Sequence, residues 1–428
     1  MWGGLAPRVL AGSAMAASVL AALVLAASVM AALVLAGCGS ARGPAAKPGP
    51  PRPTAARPCS RPVVVGTGAV VDGWRMGALT FSSAQNGVGV TAAEVWCNVS
   101  LGREGVEPTL VPQTVLFAVT HDGGARWTTV GTPAPGATLH RTIGGAGEQV
   151  VAASPARAWL LTAGGHVLAT TDEGRSWAGA GAPAGAVQLR LTRGRLWVLA
   201  CPAAAGRSVR CRLALARLDV VSGRWTRLSL PERQAVFGPQ LAVFGDTAVV
   251  DAALDTSPPE PLLVSGDDGR RWRGVALPRW DGRACPVPSA FAAAGAQTWW
   301  WVCIGGAAAG SSEKALFQTT NGGRTWHVLS QVDSLVAPER PGQIPLAEPN
   351  ALAAGSSSRL WLALQNGLAV TSDGGRRWTA VRSVDPQGIG VQFDVRSART
   401  AWLLAPGAAL WRTTDGIHWR LVGPDHAG

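Results

Sequence analysis

From residue 62 onward the apolar positions fall in short runs separated by clusters of Gly, Pro, Asp and Asn. Such runs are too short for helices and read as β-strands, with the Gly- and Asp-rich breaks as turns. The runs recur in a fixed order. A pair of apolar strands comes first, and its second member often carries a Trp: Ala158-Trp159-Leu160-Leu161, Leu196-Trp197-Val198-Leu199, Trp299 to Val302, Leu360-Trp361-Leu362 and Ala401-Trp402-Leu403-Leu404. Ala248-Val249-Val250 holds this place in the fourth unit, and either Gly87 to Val90 or Glu94-Val95-Trp96 holds it in the first. A further apolar run follows (Val115 to Val119, or Gly367 to Val370), then a polar turn ending in Trp. No segment after residue 38 shows helical spacing, and Gly and Pro are too frequent for one.

The polar turn has the pattern T/S-x-D/N-x-G-x-x-W. It reads THDGGARW at 120–127, TTDEGRSW at 170–177, SGDDGRRW at 265–272, TTNGGRTW at 319–326 and TSDGGRRW at 371–378. A shortened copy, TTDGIHW, occupies 413–419, and a worn one, DVVSGRW, occupies 219–225. The carboxylate can accept backbone N–H groups one and two residues on, as in an Asx-turn. The Gly takes the positive φ the turn needs, and the Trp begins the return strand and folds over the turn. On this reading Asp122, Trp127, Asp172, Trp177, Asp267, Trp272, Asn321, Trp326, Asp373, Trp378, Asp415 and Trp419 build self-contained hairpin clasps rather than a catalytic or metal site. The closing Trp residues stand at 127, 177, 225, 272, 326, 378 and 419, so the repeat is 41 to 54 residues long. Four short strands with their turns fill that length, which is one blade of a propeller.

The motif resembles the Asp-box, or BNR, repeat of sialidases, sortilin-type receptors and photosystem II assembly factors, and is closest in pattern to the last. The resemblance covers roughly residues 62–423. It implies that each box is the turn between the third and fourth strands of a blade. The fold expected is all-β, a seven-bladed β-propeller of four-stranded antiparallel blades, with six or eight blades as the alternatives. The strands at Val63 to Val71 are expected to close the ring by pairing with the last blade, because an open ring leaves unpaired edges.

Ahead of this domain, Arg8 precedes a long Ala/Leu/Val run that ends in the lipobox Leu35-Ala36-Gly37-Cys38. A signal peptide over 1–37 and a lipidated Cys38 follow. The apolar run is long because ASVLAALVLA at 17–26 recurs as ASVMAALVLA at 27–36, so an uncleaved membrane anchor is the alternative. Residues 38–61 form a Pro-rich tether, 62–423 the propeller and 424–428 a tail. Either reading of the N-terminus places the propeller outside the cytoplasm, held at the cell membrane.

That compartment gives the cysteines a meaning. Beyond Cys38 there are six, an even number suited to disulfides. Proximity pairs Cys201 with Cys211 and Cys285 with Cys303, leaving Cys59 with Cys97. Their spacing fits no zinc site, and neither a metal nor a cofactor is expected. The net charge of +12 is carried almost wholly by Arg. It suggests an anionic envelope partner, or only the codon bias of a chain rich in Ala, Gly and Arg. Nucleic acid is not expected, because no basic stripe is interleaved with aromatics.

Sialidases use a Tyr nucleophile, and this chain contains no Tyr. Its acids outside the boxes form no recognisable pair of the kind glycoside hydrolysis needs, so no catalytic residue is assigned. In a propeller the boxes mark one face, and the loops between second and third strands and between blades reach the other. Long loops on a rigid scaffold commonly bind. Arg210, Arg212, Trp280, Arg283, Glu339, Arg340, Gln343 and Glu348 are the candidates on that opposite face. The expectation is a non-enzymatic scaffold whose partner is a protein or an envelope polymer. A glycan-binding or glycan-cleaving propeller is the alternative.

Overall fold

The computed structural model describes residues 63–422 apart from short breaks, the longest at 96–112, 140–148, 203–210, 252–260 and 333–339. Of the two units into which the chain divides, Met1–Ala55 and Ala56–Gly428, all described residues belong to the second. The lipobox, the tether, Cys59, Cys97, Arg210 and Glu339 lie outside the described residues.

The second unit is a seven-bladed β-propeller. Each blade is an antiparallel sheet of four strands in sequence order from the central channel to the rim. Blade one comprises Met76–Phe81, Gly87–Ala92, Gln113–Thr120 and Trp127–Gly131; blade seven comprises Gln392–Val395, Ala401–Ala405, Ala409–Thr413 and Trp419–Leu421. Gly87–Ala92 is thus the second strand that the sequence left ambiguous. The apolar, Trp-bearing strands are second strands throughout, and they are buried on both sides because each blade is sandwiched between two others. Leu360–Leu364 and Ala401–Ala405 are buried at every position. The outer strands are thin and exposed, as at Ala178–Gly179.

The hydrophobic core is divided among the blade interfaces. Seven clusters of buried side chains each join two successive blades, including one that joins blade seven to blade one. That last seam is closed by side chains alone. Phe81 stacks on Trp402 at 3.7 Å with the rings 8° apart. Asp394 Oδ2 accepts the Phe81 N–H at 2.8 Å, and Gln392 Nε2 donates to the Gly77 carbonyl at 3.2 Å. The expected closure by strand exchange does not occur. Val70–Val71 pairs instead with Thr128 and Trp127, as a fifth, outermost strand of blade one. The outer strand of blade one offers that segment an unpaired edge, while blade seven is already completed by four strands of its own.

The repeated turns have a consistent geometry that differs in detail from the expected Asx-turn. In the five full copies the opening Thr or Ser is buried. Its hydroxyl donates to Oδ1 of the Asp or Asn at 2.8–2.9 Å. The same oxygen accepts the N–H of the Gly four residues on at 2.9–3.1 Å. Oδ1 in turn accepts the N–H four residues beyond itself, at 2.9–3.0 Å. The hydroxyl satisfies the inner donor, so the carboxylate is left to gather the outer ones. Closer donors are served in some copies: Asp373 also accepts the Arg376 N–H at 3.0 Å, Asp219 of the worn copy accepts those of Val221 and Ser222 at 3.1 and 2.8 Å, and Asp415 of the shortened copy accepts those of Ile417 and His418 at 2.8 Å. These bonds stabilise the ionised form. The Ser176 hydroxyl and N–H hold Asp172 down at about 2, and the Arg271 side chain and N–H do the same for Asp267. In Asp373 desolvation pulls upward but is outweighed by the Arg377 N–H and the Thr371 hydroxyl, leaving a value of about 2.

Nor are the turns self-contained. Trp300, Trp361 and Trp402, on the second strands of blades five, six and seven, donate their indole N–H groups to the carbonyls of Gly374, Gly416 and Gly123, at 2.8, 3.0 and 2.9 Å. Each acceptor lies in the turn of the following blade. Between blades three and four an ion pair takes over this role. Asp268 stands where the other turns have Gly or Glu, and its carboxylate meets Arg195 and, at 2.6 Å, Arg217. Arg217 also takes the Asp268 carbonyl at 3.0 Å, and Trp197 Nε1 is left without a partner among the described residues.

Candidate functional site

The turns account for their acids within the framework, so function is sought elsewhere on the ring. The structure distributes the sequence-predicted binding residues over separate places. Arg212 stands on a short ribbon, Cys211–Arg212 paired with Gln234–Ala235. It faces Glu232 at 3.9 Å with both side chains more than 70% exposed (75% and 71%), an arrangement worth little. Trp280 and Arg283 share a hairpin between blades four and five, Arg279–Trp280 paired with Arg283–Ala284. Arg283 is exposed. The Trp280 ring lies so close to Gly305 that a Cβ there would stand 2.9 Å from it. Glu348 donates its N–H to the Gly310 carbonyl.

Arg340 and Gln343 belong to a segment that does not stay on the face opposite the turns. The Gly342 carbonyl accepts the N–H of Trp378, at the turn of blade six, at 2.9 Å. Gln343 Nε2 donates to the Gln331 carbonyl at 2.9 Å, and Gln343 Oε1 accepts the Arg340 N–H at 3.1 Å. The sequence cannot show this, because Trp378 and Ile344 attract the segment only once blades five and six are side by side.

Two disulfides, Cys201–Cys211 and Cys285–Cys303, have the expected partners and point to an oxidising compartment. One joins the end of the second strand of blade three to the short ribbon. The other joins the hairpin bearing Trp280 to the second strand of blade five. The ring also has a concave feature that the sequence does not announce. A cavity of about 90 Å³ opens where the inner strands of blades three, four and five meet. Its polar lining comes from Arg190, Gln240 and Asp251, and its aromatic lining from Phe291 and Trp301. Gln240 begins an inner strand and Asp251 ends a second strand, so both lie toward the end of the channel away from the turns.

The site is held by the same inner strands that line it. Gln149 Oε1 accepts the Leu189 N–H at 2.8 Å, and Gln188 Oε1 accepts the Leu241 N–H. Side-chain amides therefore bridge the inner strand of blade two to that of blade three, and that of blade three to that of blade four. The Arg190 guanidinium donates to the Leu189 carbonyl at 2.8 Å. Burial within the ring lowers its pKa, although the side chain keeps partial exposure to the channel, where solvent tempers the effect. Asp251 is 8% exposed. Trp301 is 2% exposed, and its indole N–H has no acceptor among the described residues. A guanidinium, a carboxamide and one carboxylate beside two aromatic rings can hold a polar group against an apolar wall.

The architecture has counterparts among solved structures. It is similar to YCF48 bound to a D1 peptide, at 14% identity, 83% of this chain, 99% of that one and a TM-score of 0.50. It is also similar to YCF48 from Cyanidioschyzon merolae, at 14% identity, 86% and 99% coverage and a TM-score of 0.49. A GH74 xyloglucanase from Xanthomonas campestris aligns at 14% identity over 81% of this chain and 72% of that one, with a TM-score of 0.28. At such identities the likeness is one of fold. No protein-family profile matches the chain, and no curated protein matches it in sequence.

One signal for the cavity does exist in the sequence. Arg190 interrupts the run Ala186–Thr192, and Asp251 closes the otherwise apolar run Ala248 to Val250. A charge inside a short apolar strand marks a channel-facing position once the ring is known.

Proposed function

We propose that the chain is an exported, lipid-anchored propeller that serves as a non-enzymatic binding or assembly scaffold at the cell envelope. Its turns are Asp boxes with a structural role, and Cys38 carries the anchor. The observation that carries this reading is the cavity between the inner strands of blades three to five. Its polar groups form a recognition set, where glycoside hydrolysis would use two opposed carboxylates. The amides that bridge the inner strands of blades two, three and four help keep that set preorganised, which lowers the ordering cost of binding. A solved structure of the same fold holding a D1 peptide makes a protein partner the natural first case.

A second reading is favoured by Phe291, whose ring is only partly buried at the cavity. Sugar rings pack on aromatic faces, and Gln240 and Asp251 can bond their hydroxyls, so a glycan ligand would use the same cavity. A photo-crosslinking residue at Gln240 in intact cells separates the two. A discrete protein adduct that disappears with Arg190→Ala supports the scaffold. An adduct to polysaccharide, or an adduct indifferent to Arg190→Ala, overturns it. The anchor is tested by Cys38→Ala, which should move the chain from membranes to the soluble fraction; retention in membranes would favour the uncleaved anchor.

A further inference from the structure

At the outer rim each pair of neighbouring blades leaves a wedge between its outermost strands. Between blades five and six the chain fills this wedge itself, with residues 340–348. Ile344 is fully buried there (0% exposed). Lys314 Nζ donates to the carbonyls of Pro345 and Leu346 at 2.7 and 2.8 Å, and Gly342 takes the main-chain N–H of Trp378. A segment that turns at 340–343 and then lays one aliphatic anchor and main-chain bonds along the neighbouring strands is therefore what this wedge accommodates.

The next wedge, between blades six and seven, is an open groove of about 440 Å³. One wall is Thr379 to Ser383 and the other Ile417 to Arg420. Two buried side chains, Val370 and Trp419, form its base. Ser383 Oγ bridges the walls by donating to the Trp419 carbonyl at 3.2 Å. The outer strand Thr379–Val381 has Thr379 and Ala380 exposed along the groove. Arg382 and Arg420 are exposed on opposite walls, and neither forms an ion pair among the described residues. No Asp or Glu lines the groove.

We propose that this groove docks an extended acidic segment of a partner protein. An aliphatic side chain of that segment would sit over Val370 and Trp419, its backbone would run along Thr379–Val381, and its carboxylates would face Arg382 and Arg420. Charge complementarity selects this occupant. The chain's own tether is unsuited, because residues 39–61 carry Arg42, Lys47, Arg52, Arg57 and Arg61 and no acid. This surface extends the scaffold reading without resting on it, since the groove and the channel cavity share no residue.

The test is fluorescence anisotropy of the full chain with two labelled peptides. One has a central isoleucine flanked by Asp and Glu; the other has the same core flanked by Lys. The acidic peptide should bind the wild type. Arg382→Glu with Arg420→Glu should weaken it by about tenfold or more and admit the Lys peptide. Ala380→Trp should block the acidic peptide without altering the far-ultraviolet circular dichroism spectrum. Arg190→Ala should leave peptide binding unchanged, which separates failure at the channel from failure at the groove. Equal weakening by Arg126→Glu with Arg224→Glu, on turns of other blades, would reduce the effect to general attraction and overturn the proposal. So would inorganic triphosphate competing as well as the acidic peptide. Binding that appears only after removal of residues 424–428 would make the chain's own tail the occupant and would likewise overturn it.

Discussion

The turn of blade six yields a prediction that reverses the ranking a sequence reader would give its residues. Asp373 is the conspicuous member, but Thr371 does the more difficult work. Replacing Thr371 by Val keeps the shape and removes the hydroxyl. The buried N–H of Gly375 then loses its acceptor at 3.1 Å, and Asp373 loses a donor at 2.8 Å. Stranding a buried N–H costs about 1–3 kcal/mol, and losing the bond to the carboxylate adds about 1 kcal/mol. The expected loss for Thr371→Val is therefore about 3 kcal/mol. Asp373→Ala frees the N–H groups of Arg376 and Arg377, which are exposed and turn to water, and takes the acceptor from the Thr371 hydroxyl, which keeps its bond from the Gly375 N–H. Its ion pair with Arg377, 83% exposed on the arginine side, contributes little. About 1 kcal/mol is expected for Asp373→Ala. Asn321 already shows that a neutral amide serves, accepting the Thr325 N–H at 3.0 Å, so Asp373→Asn should be milder still. Guanidinium unfolding followed by tryptophan fluorescence and circular dichroism ranks the three variants. A larger midpoint shift for Asp373→Ala than for Thr371→Val would refute the assignment of roles.

Acid should expose the same turns as a group. Asp172, Asp267 and Asp373 fall from an ordinary 3.8 to about 2 in the folded chain. The stability they contribute is complete above about pH 4 and fades as the pH falls toward 2. A triple Asp→Asn variant should lose that part of the slope; an unchanged difference between pH 5 and pH 2 would contradict it. Among the glycines, Gly174→Ala and Gly223→Ala share positive φ angles of 83° and 70°. Only at Gly174 would the new Cβ meet Phe117 of the preceding blade, at 2.2 Å. Gly223→Ala should cost about 1–2 kcal/mol and Gly174→Ala about 1–3 kcal/mol more; equal melting temperatures would remove the steric argument. Cys201→Ser with Cys211→Ser should cost about 2–3 kcal/mol, checked by chemical unfolding; an unshifted midpoint would show that the bridge leaves overall stability unchanged.

Why the blades were legible while the cavity and the segment between blades five and six were not comes down to range. A turn such as 371–378 is written within eight residues: hydroxyl, carboxylate, glycine and indole all bond within reach of one another. Seven second strands announce themselves by burial on both sides. The sequence cannot say where a donor goes once it leaves its own blade, so the indole of Trp402 looked like plain core until Gly123 met it across the seam. Gly342 and Trp378 become neighbours only through the packing of two blades. Arg190 and Asp251 are single charges in separate strands, and their proximity is created by curvature of the ring.

The division of the core among interfaces has a mechanical consequence. A blade owns half of two apolar layers and the whole of none, so peeling one away uncovers its neighbours on both sides at once. Partial opening then has no inexpensive intermediate, and the ring should behave as a hoop, intact or sprung. Its one joint without continuous chain is the contact of Phe81 with Trp402. Amide exchange slow everywhere else but quickened on both sides of that contact would locate the place where the hoop gives.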